Sequence, residues 1–349
     1  MEEEVNEHIY LLDTVDPDNN NFMDNYINFG SYTLDNFHSS GINSTDSLNI
    51  FHHNSRSILT EGRLDDYDTM FNDIKNPFHI MAFTETWVKP DNAHTVEIEG
   101  YEPFHRPRKN DNINIKEGGG GISVFIKNGI DYRIRHELNV TLPYVESLFV
   151  EVKYNNKNYM IGIIYRIPNT NIDNFINKIN ELIEPIRNNY ELVLTGDFNI
   201  CLLRDNNHSE SFRNCMMSSN LFPTILEATR VSNTERNGET ILTETLIDNF
   251  FINTQSSLFY KSGLIQSSIT DHYPVFLSIP GNTILESEKS TIIKFRLIDE
   301  FSIRKFKFAL NSFLRTFEIP SNAKLAFEIF YNRFQELYNK YFPIKTKKK

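Results

Sequence analysis

Only two cysteines, Cys201 and Cys215, occur among the 349 residues. That is too few for a disulfide framework or a cysteine-based zinc site, so any metal must sit on oxygen or imidazole ligands; the scarcity also agrees with a reducing compartment. No window holds the roughly 18 consecutive apolar residues of a membrane span. The opening MEEEVNEHIY is acidic where a secretory leader is basic and then apolar. Together these absences predict a chain without a membrane span or a secretion signal. Lys and Arg are missing from residues 1 to 50, which hold ten of the 46 acids. The formal charge of −11 is therefore concentrated at the start, and the remainder sets 36 acids against 35 bases. A near-neutral body can spend acids on a metal site and still present a basic rim to nucleic acid. No internal repeat is visible, and the Asn-rich stretches DPDNNNF, KYNNKNY and LLRDNNHSE read as compositional bias decorating loops.

With 40% hydrophobic residues the chain can bury a sizeable core. Residues 1–48 are acidic, rich in Asn, Asp and Ser and only faintly periodic, which predicts a disordered N-terminal arm. Residues 49–282 alternate turn signals with the apolar runs HIMAFTET, GISVFIKN, SLFVEVKY, YMIGIIYRIP, LVLTGDFN, LIDNFFIN and YPVFLSI. Runs of about four to eight residues rich in β-branched and aromatic side chains predict strands. Ile172, Phe175, Ile176, Ile179, Leu182 and Ile183 fall three and four apart and mark one face of a helix. DDYDTMFNDIKN and ESFRNCMMSSN are weaker helical patterns. The mixture predicts an α/β (α+β) domain, a four-layer α/β/β/α sandwich of two packed mixed β-sheets flanked by helices. Residues 283–349 hold FSIRKFKFALNSFLRTFEI and AKLAFEIFYNRFQELYNKYF and end in IKTKKK, which predicts a basic helical C-terminal connector.

Polar residues interrupt the strand ends. Asn54 lies in HHNSRSI, Glu85 follows HIMAF, Tyr165 follows IGII, and Asp197 and Asn199 follow LVL. Asp248 sits in LID, and Asp271 with His272 in TDH. One acid at a strand end is ordinarily a turn residue or a helix cap. Eight such residues, each at the edge of an apolar strand, are what a layered sheet would bring to one open end. Residues two apart just beyond a strand face the same side, so Asp197 and Asn199 are placed to act on one group.

The order of these residues resembles the endonuclease/exonuclease/phosphatase superfamily. More narrowly, HHNSRSI, FTETWV, GGGGISVFI, GDFNICLL, ATRV followed by TLIDNFFIN, and TDHYPVF resemble the endonuclease domain of non-LTR, jockey-like retrotransposon reverse transcriptases, over residues 51–280. The resemblance implies a Mg²⁺-dependent DNA endonuclease, with Mn²⁺ an alternative ion, that nicks double-stranded DNA in the nucleus. The nick leaves a 3′-hydroxyl primer for a reverse transcriptase or element particle supplied separately. Phosphodiester hydrolysis requires a hard cation on the phosphate oxygens, and carboxylates suit Mg²⁺. Glu85 is the first choice of ligand, with Asp271 and Asn54 completing or supporting the shell. By resemblance, Asp197 orients or deprotonates the attacking water and Asn199 binds the same water or the scissile phosphate. His272, backed by Asp248, donates to a phosphoryl oxygen, and Tyr165 steadies the developing charge. Between Thr229 and Thr245 an Asn237–Gly238 signal predicts a hairpin, which by resemblance enters a DNA groove, with Thr229, Arg230 and Arg236 as DNA-binding residues.

Two departures matter. TDH replaces the commoner SDH, which keeps the hydroxyl; and Arg56 stands where abasic-site repair enzymes carry an acid, which fits the retroelement branch. No Tyr-x-Asp-Asp polymerase motif occurs, so the chain itself is not expected to reverse-transcribe. Gly118 to Gly121 lack the Lys and Ser or Thr of a P-loop and read as a tight turn. Arg106, Arg108 and Lys109 precede them as candidate DNA contacts or a solvated loop. A phosphatase or phospholipase of the same superfamily is the alternative enzyme, although its specificity insertions are not seen. A non-catalytic nucleic-acid-binding descendant is the second alternative, and the complete set of eight site residues argues against it.

Overall fold

The segment Ser47–Asn54 offers different side chains to its two sides: Leu48, Ile50, His52 and Asn54 alternate with Phe51 and His53, and all are buried. A strand buried on both faces has to lie inside a layered structure. The fold comes from a computed structural model that describes residues 27–43, 45, 47–108, 119–236, 239–253, 260–281, 292–296 and 300–348. In chain order the strands are β1 (Ile27–Thr33), β2 (Ser47–Asn54), β3 (Ile80–Thr84), β4 (Tyr101–Arg106), β5 (Ile122–Lys127), β6 (Asp131–Ile134), β7 (Thr141–Leu142), β8 (Val145–Tyr154), β9 (Lys157–Arg166), β10 (Glu191–Asp197), β11 (Leu221–Pro223), β12 (Arg230–Arg236), β13 (Glu239–Thr245), β14 (Asp248–Asn253), β15 (Tyr260–Gln266), β16 (Val275–Pro280), β17 (Ile292–Arg296) and β18 (Ile344–Lys348). The helices are α1 (Arg63–Asp73), α2 (Ile172–Ile183), α3 (Asn207–Ser218), α4 (Glu300–Thr316) and α5 (Ala323–Tyr341).

Two mixed seven-stranded sheets form the main unit. The first runs β1-β15-β16-β2-β3-β5-β4, and the second runs β11-β14-β10-β9-β8-β6 with β7 on β8. Leu48, Ile50, Ile80 and Ala82 of the first sheet share one apolar cluster with Leu148, Val150, Ile161, Ile163 and Leu194 of the second, so the sheets pack face to face. The opposite face of the first sheet, with Phe51, Met81 and Phe83, packs on Tyr67, Met70 and Phe71 of α1. On the second sheet, Phe175 and Ile179 of α2 and Phe212 and Met216 of α3 close the outer side. The four-layer sandwich expected from the alternation of short apolar runs and helical patterns is the architecture found.

The first sheet extends further towards the N-terminus than expected. Residues 27–33, inside the segment read as a disordered arm, form edge strand β1, parallel to β15 with Gly30 opposite Gly263. A Cβ on Gly263 would lie 2.2 Å from the Gly30 carbonyl oxygen, so the two glycines set how closely these strands approach. Phe37 then anchors the segment, its ring 5.5 Å from Phe276 and 6.2 Å from Phe78. An edge strand held by backbone hydrogen bonds needs no apolar period, which is why composition concealed it. Residues 1–26 lie outside the described residues.

The described residues from Ile292 onward form a separate unit. In it α4 and α5 pack through aromatic rings, among them Phe306 on Phe334 at 5.5 Å and Phe306 on Phe342 at 5.3 Å, and β17 pairs antiparallel with β18.

Candidate active site

Register assembles half of the site. Residues that are Cα partners across neighbouring strands stand side by side on one face of a sheet. Glu146 of β8 is opposite Tyr165 of β9, Tyr165 is opposite Asp197 of β10, and Asp197 is opposite Asp248 of β14. One row across the second sheet therefore carries three acids and a tyrosine. Gly196 makes the end of β10 possible, because its φ is 143° and a Cβ there would lie 1.7 Å from the Ile164 carbonyl oxygen. This gives the glycine of GDFN a steric reason.

The other half comes from the first sheet. Asn54, at the end of β2, donates through Nδ2 to Glu85 Oε1 at 2.8 Å and to Asp197 Oδ2 at 2.8 Å. Its Oδ1 accepts from the Arg56 backbone N–H at 3.1 Å. Asn199 turns back on Asp197: its backbone N–H donates to Oδ1 at 2.9 Å, and Nδ2 donates to Oδ2 at 3.1 Å and to the Arg166 carbonyl at 2.8 Å. Three donors from two asparagines thus hold one carboxylate. Glu85 and Asn199 take φ of 50° and 48°, a conformation that costs side-chain-bearing residues energy and clusters at functional sites.

His272 lies in the turn before β16. Its Nδ1 is 2.8 Å from Asp248 Oδ2, which also accepts from Thr229 Oγ1 at 2.8 Å. Thr229 in turn accepts from the backbone N–H of Asp248 at 3.0 Å. Beneath this turn, His53 Nε2 donates to the His272 carbonyl at 2.9 Å while its Nδ1 accepts from the Tyr67 hydroxyl at 2.6 Å. Burial drives His53 down to about 3, so it is a neutral strut.

Charge is distributed unevenly among these buried groups. Burial, followed by the Asp248 carboxylate, pushes Asp197 up to about 7. Asp248 moves the other way: burial opposes its charge, but His272, with His52 and the Thr229 hydrogen bond, together lower it. Burial alone would make His272 neutral, but the Asp248 carboxylate and their hydrogen bond raise the ring to about 9. Tyr165 is raised by burial and by Glu85 and Asp197, so its hydroxyl keeps its proton. Behind Tyr165, Arg108 pairs with Glu146, which also accepts from the Gly121 backbone N–H at 2.8 Å, and the Arg108 guanidinium sits 5.6 Å from the Tyr165 ring centre.

The donor set fits a hard divalent cation. Asp197, Asp248 and His272 bring carboxylate oxygens and a ring nitrogen within 4.8 Å of one another; with the His272 ring bound to Asp248, the carboxylate oxygens are the ligands left for a cation. Asp248 Oδ1 has no hydrogen-bond partner among the described residues, and Glu85 shares the Asn54 amide with Asp197. Carboxylate oxygens so concentrated suit a hard divalent cation.

Asn54, Glu85, Tyr165, Asp197, Asn199, Asp248 and His272 are thus joined by register or hydrogen bonds. Asp271 instead meets Arg56 at 2.6 Å and Arg230 at 2.8 Å. Thr229, expected on the DNA-facing surface, is fully buried and aligns Asp248, so it cannot touch DNA. Arg230 begins β12, which pairs with β13 from Arg230↔Thr245 to Arg236↔Glu239. The Arg236 side chain, the Asn237–Gly238 turn, Lys109 and Gly118 lie outside the described residues. Arg108 is a largely buried support of Tyr165, paired with Glu146. Glu146, His53 and Tyr67 went unrecognised in the sequence; Glu146 carried one usable signal, an acid at the head of a strand buried on both faces.

No protein-family model matches the chain, and no curated protein does. Among solved structures it is similar to the endonuclease domain of TRAS1, a telomere-specific non-LTR retrotransposon, with 13% identity, a TM-score of 0.50, and coverage of 69% of this chain and 100% of that one. It is also similar to the AP endonuclease LMAP from Leishmania major, with 13% identity, a TM-score of 0.53, and coverage of 79% and 99%. The chain has the endonuclease/exonuclease/phosphatase fold. In that fold the strand ends of two packed sheets meet, and here they bring together the row from Glu146 to Asp248 with Asn54, Glu85 and His272.

Proposed function

We propose that the protein is a divalent-metal-dependent DNA endonuclease of retrotransposon origin, which hydrolyses a phosphodiester bond and leaves a 3′-hydroxyl from which a reverse-transcribing partner can start. On this reading it works in the nucleus. The observation that carries the proposal is the geometry of one buried site: Asn54 Nδ2 holds Asp197 Oδ2 and Glu85 Oε1 at 2.8 Å each, and His272 Nδ1 stands 2.8 Å from Asp248 Oδ2. A carboxylate and an imidazole fixed so close together can serve as base and acid on one phosphate.

The roles follow from the contacts. Asp197 accepts a proton from the attacking water at a carboxylate oxygen, while Asn54 and Asn199 hold that carboxylate still. His272, fixed through Nδ1 by Asp248, presents the other ring nitrogen to a phosphoryl oxygen. Tyr165 contributes a hydroxyl that stays protonated beside the developing charge. A Mg²⁺ or Mn²⁺ ion on the Glu85 and Asp197 side would neutralise the phosphate.

DNA is favoured over a small phosphate ester because the hairpin β12–β13 is rooted in the catalytic turn. Tyr273 N donates to Thr229 O at 2.6 Å and Val231 N to Asp271 O at 2.9 Å, so anything gripping the hairpin is registered against His272. The test is conversion of supercoiled plasmid to the nicked form, run beside inositol phosphate and sphingomyelin. Nicking with Mg²⁺ that disappears with chelator is the expected result. Hydrolysis of a small ester with no nicking would overturn the choice of substrate.

A further inference from the structure

Asp271 stands beside His272 in sequence but is bound to neither His272 nor Asp197. One of its oxygens accepts from Arg56 Nη1 at 2.6 Å and the other from Arg230 Nε at 2.8 Å. The two arginines come from different parts of the chain, Arg56 from the turn after β2 and Arg230 from the root of the hairpin. Arg56 is held firmly at its backbone. It has φ of 41° and is followed by Ser57 at 76°; its N–H is bound by Asn54 Oδ1 at 3.1 Å, and the Ser57 N–H donates to the Glu85 carbonyl at 2.8 Å. The residue that aligns Glu85 and Asp197 therefore also fixes Arg56.

The side chains lead outward. That of Asp271 is 18% exposed, against 37% for Arg230 and 52% for Arg56. Two guanidinium groups around one carboxylate leave a net positive charge at the mouth of a site otherwise lined by Glu85, Asp197 and Asp248. Each guanidinium has five donors in a planar fork that matches a phosphate, and an arginine already oriented loses less freedom when it binds one.

We infer that Arg56 and Arg230 form a clamp for a backbone phosphate flanking the scissile one, with Asp271 as the positioning residue that sets their separation. This rests on the DNA-nicking reading. It assigns Asp271 to the arginines instead of the metal shell, since each of its oxygens already accepts from a guanidinium group.

Binding of a short fluorescein-labelled duplex, followed by anisotropy in chelator across a KCl series, tests the clamp without cleavage. Arg56→Ala and Arg230→Ala should each weaken binding by about three- to tenfold and flatten the salt dependence by about one phosphate contact, while Arg56→Lys keeps the slope. Mn²⁺ affinity of Asp271→Asn, measured by calorimetry, should stay within about twofold of wild type, because removing even a supporting partner of a true ligand costs about tenfold or more. Unchanged affinity and slope in both alanine variants would reduce the pair to a brace and overturn the clamp. A tenfold loss of Mn²⁺ affinity in Asp271→Asn would restore it as a ligand, with the same consequence. A wild-type protein that nicks no DNA removes the proposed function itself, whereas nicking with unaffected variants removes only the clamp.

Discussion

Asn54, at the end of a strand in one sheet, donates a hydrogen bond of 2.8 Å to Asp197, at the end of a strand in the other. Its amide also holds Glu85, so one neutral group keeps two acids aligned across the inter-sheet boundary. Replacing it by Ala leaves buried carboxylate oxygens short of a donor, at a cost of about 1–3 kcal/mol. The displaced acids should lower the nicking rate by about 10²-fold. Urea unfolding and plasmid nicking of Asn54→Ala measure the two effects, and a wild-type rate would show that Asn54 does not align the site.

Asp248 sets the charge of His272. The ring is raised to about 9 in the folded protein, against an ordinary value near 6.5. A group raised on folding stabilises the fold fully below its unfolded value and loses that contribution as pH climbs through the folded one. The window here runs from about 6.5 to 9. In Asp248→Asn the carboxylate is gone and burial prevails, so the His272 ring should titrate below its ordinary value. Two-dimensional NMR of the imidazole signals tests this, and a His272 signal still titrating near 9 in the variant contradicts the assigned cause.

Glu146 and Gly196 support the row from behind. Glu146→Ala strands the Arg108 guanidinium, which is 10% exposed, and breaking such a pair costs about 3–5 kcal/mol. Gly196→Ala drives a methyl against the Ile164 carbonyl and should cost more than about 2 kcal/mol. Thermal denaturation reads both; a change of under about 1 kcal/mol in either variant would mean that the backbone there relaxes freely.

A divalent cation should stabilise the protein, because the buried Asp197 carboxylate is held by neutral asparagine donors and anything bound only to the folded state raises its stability by mass action. Mg²⁺ or Mn²⁺ should raise the melting temperature of wild type at neutral pH and leave Glu85→Gln/Asp197→Asn unmoved. An equal rise in both proteins would place the ion elsewhere.

Most of this site was legible in the sequence because its residues terminate strongly apolar strands, and an acid or amide at such a boundary stands out. HIMAF before Glu85, LVL before Asp197 and LI before Asp248 are examples. What escaped were residues whose importance exists only across strands. Glu146 matters through its register with Tyr165, and Thr229, singled out for DNA, instead through a hydroxyl that meets Asp248 from just before β12. His53 resembled any other histidine, since its partners are Tyr67 and a backbone carbonyl at His272. Edge strand β1 was invisible for a related reason, being held by backbone pairing with a strand more than two hundred residues away.

The most direct measurement compares plasmid nicking by wild type, Asp197→Asn, His272→Ala and the double variant under saturating Mg²⁺. If the two side chains serve one phosphate, each single change should cost about 10²–10⁴-fold, and the double variant should lose far less than the product of the two. Singles that nick at the wild-type rate, or losses that multiply in full, would contradict a shared centre.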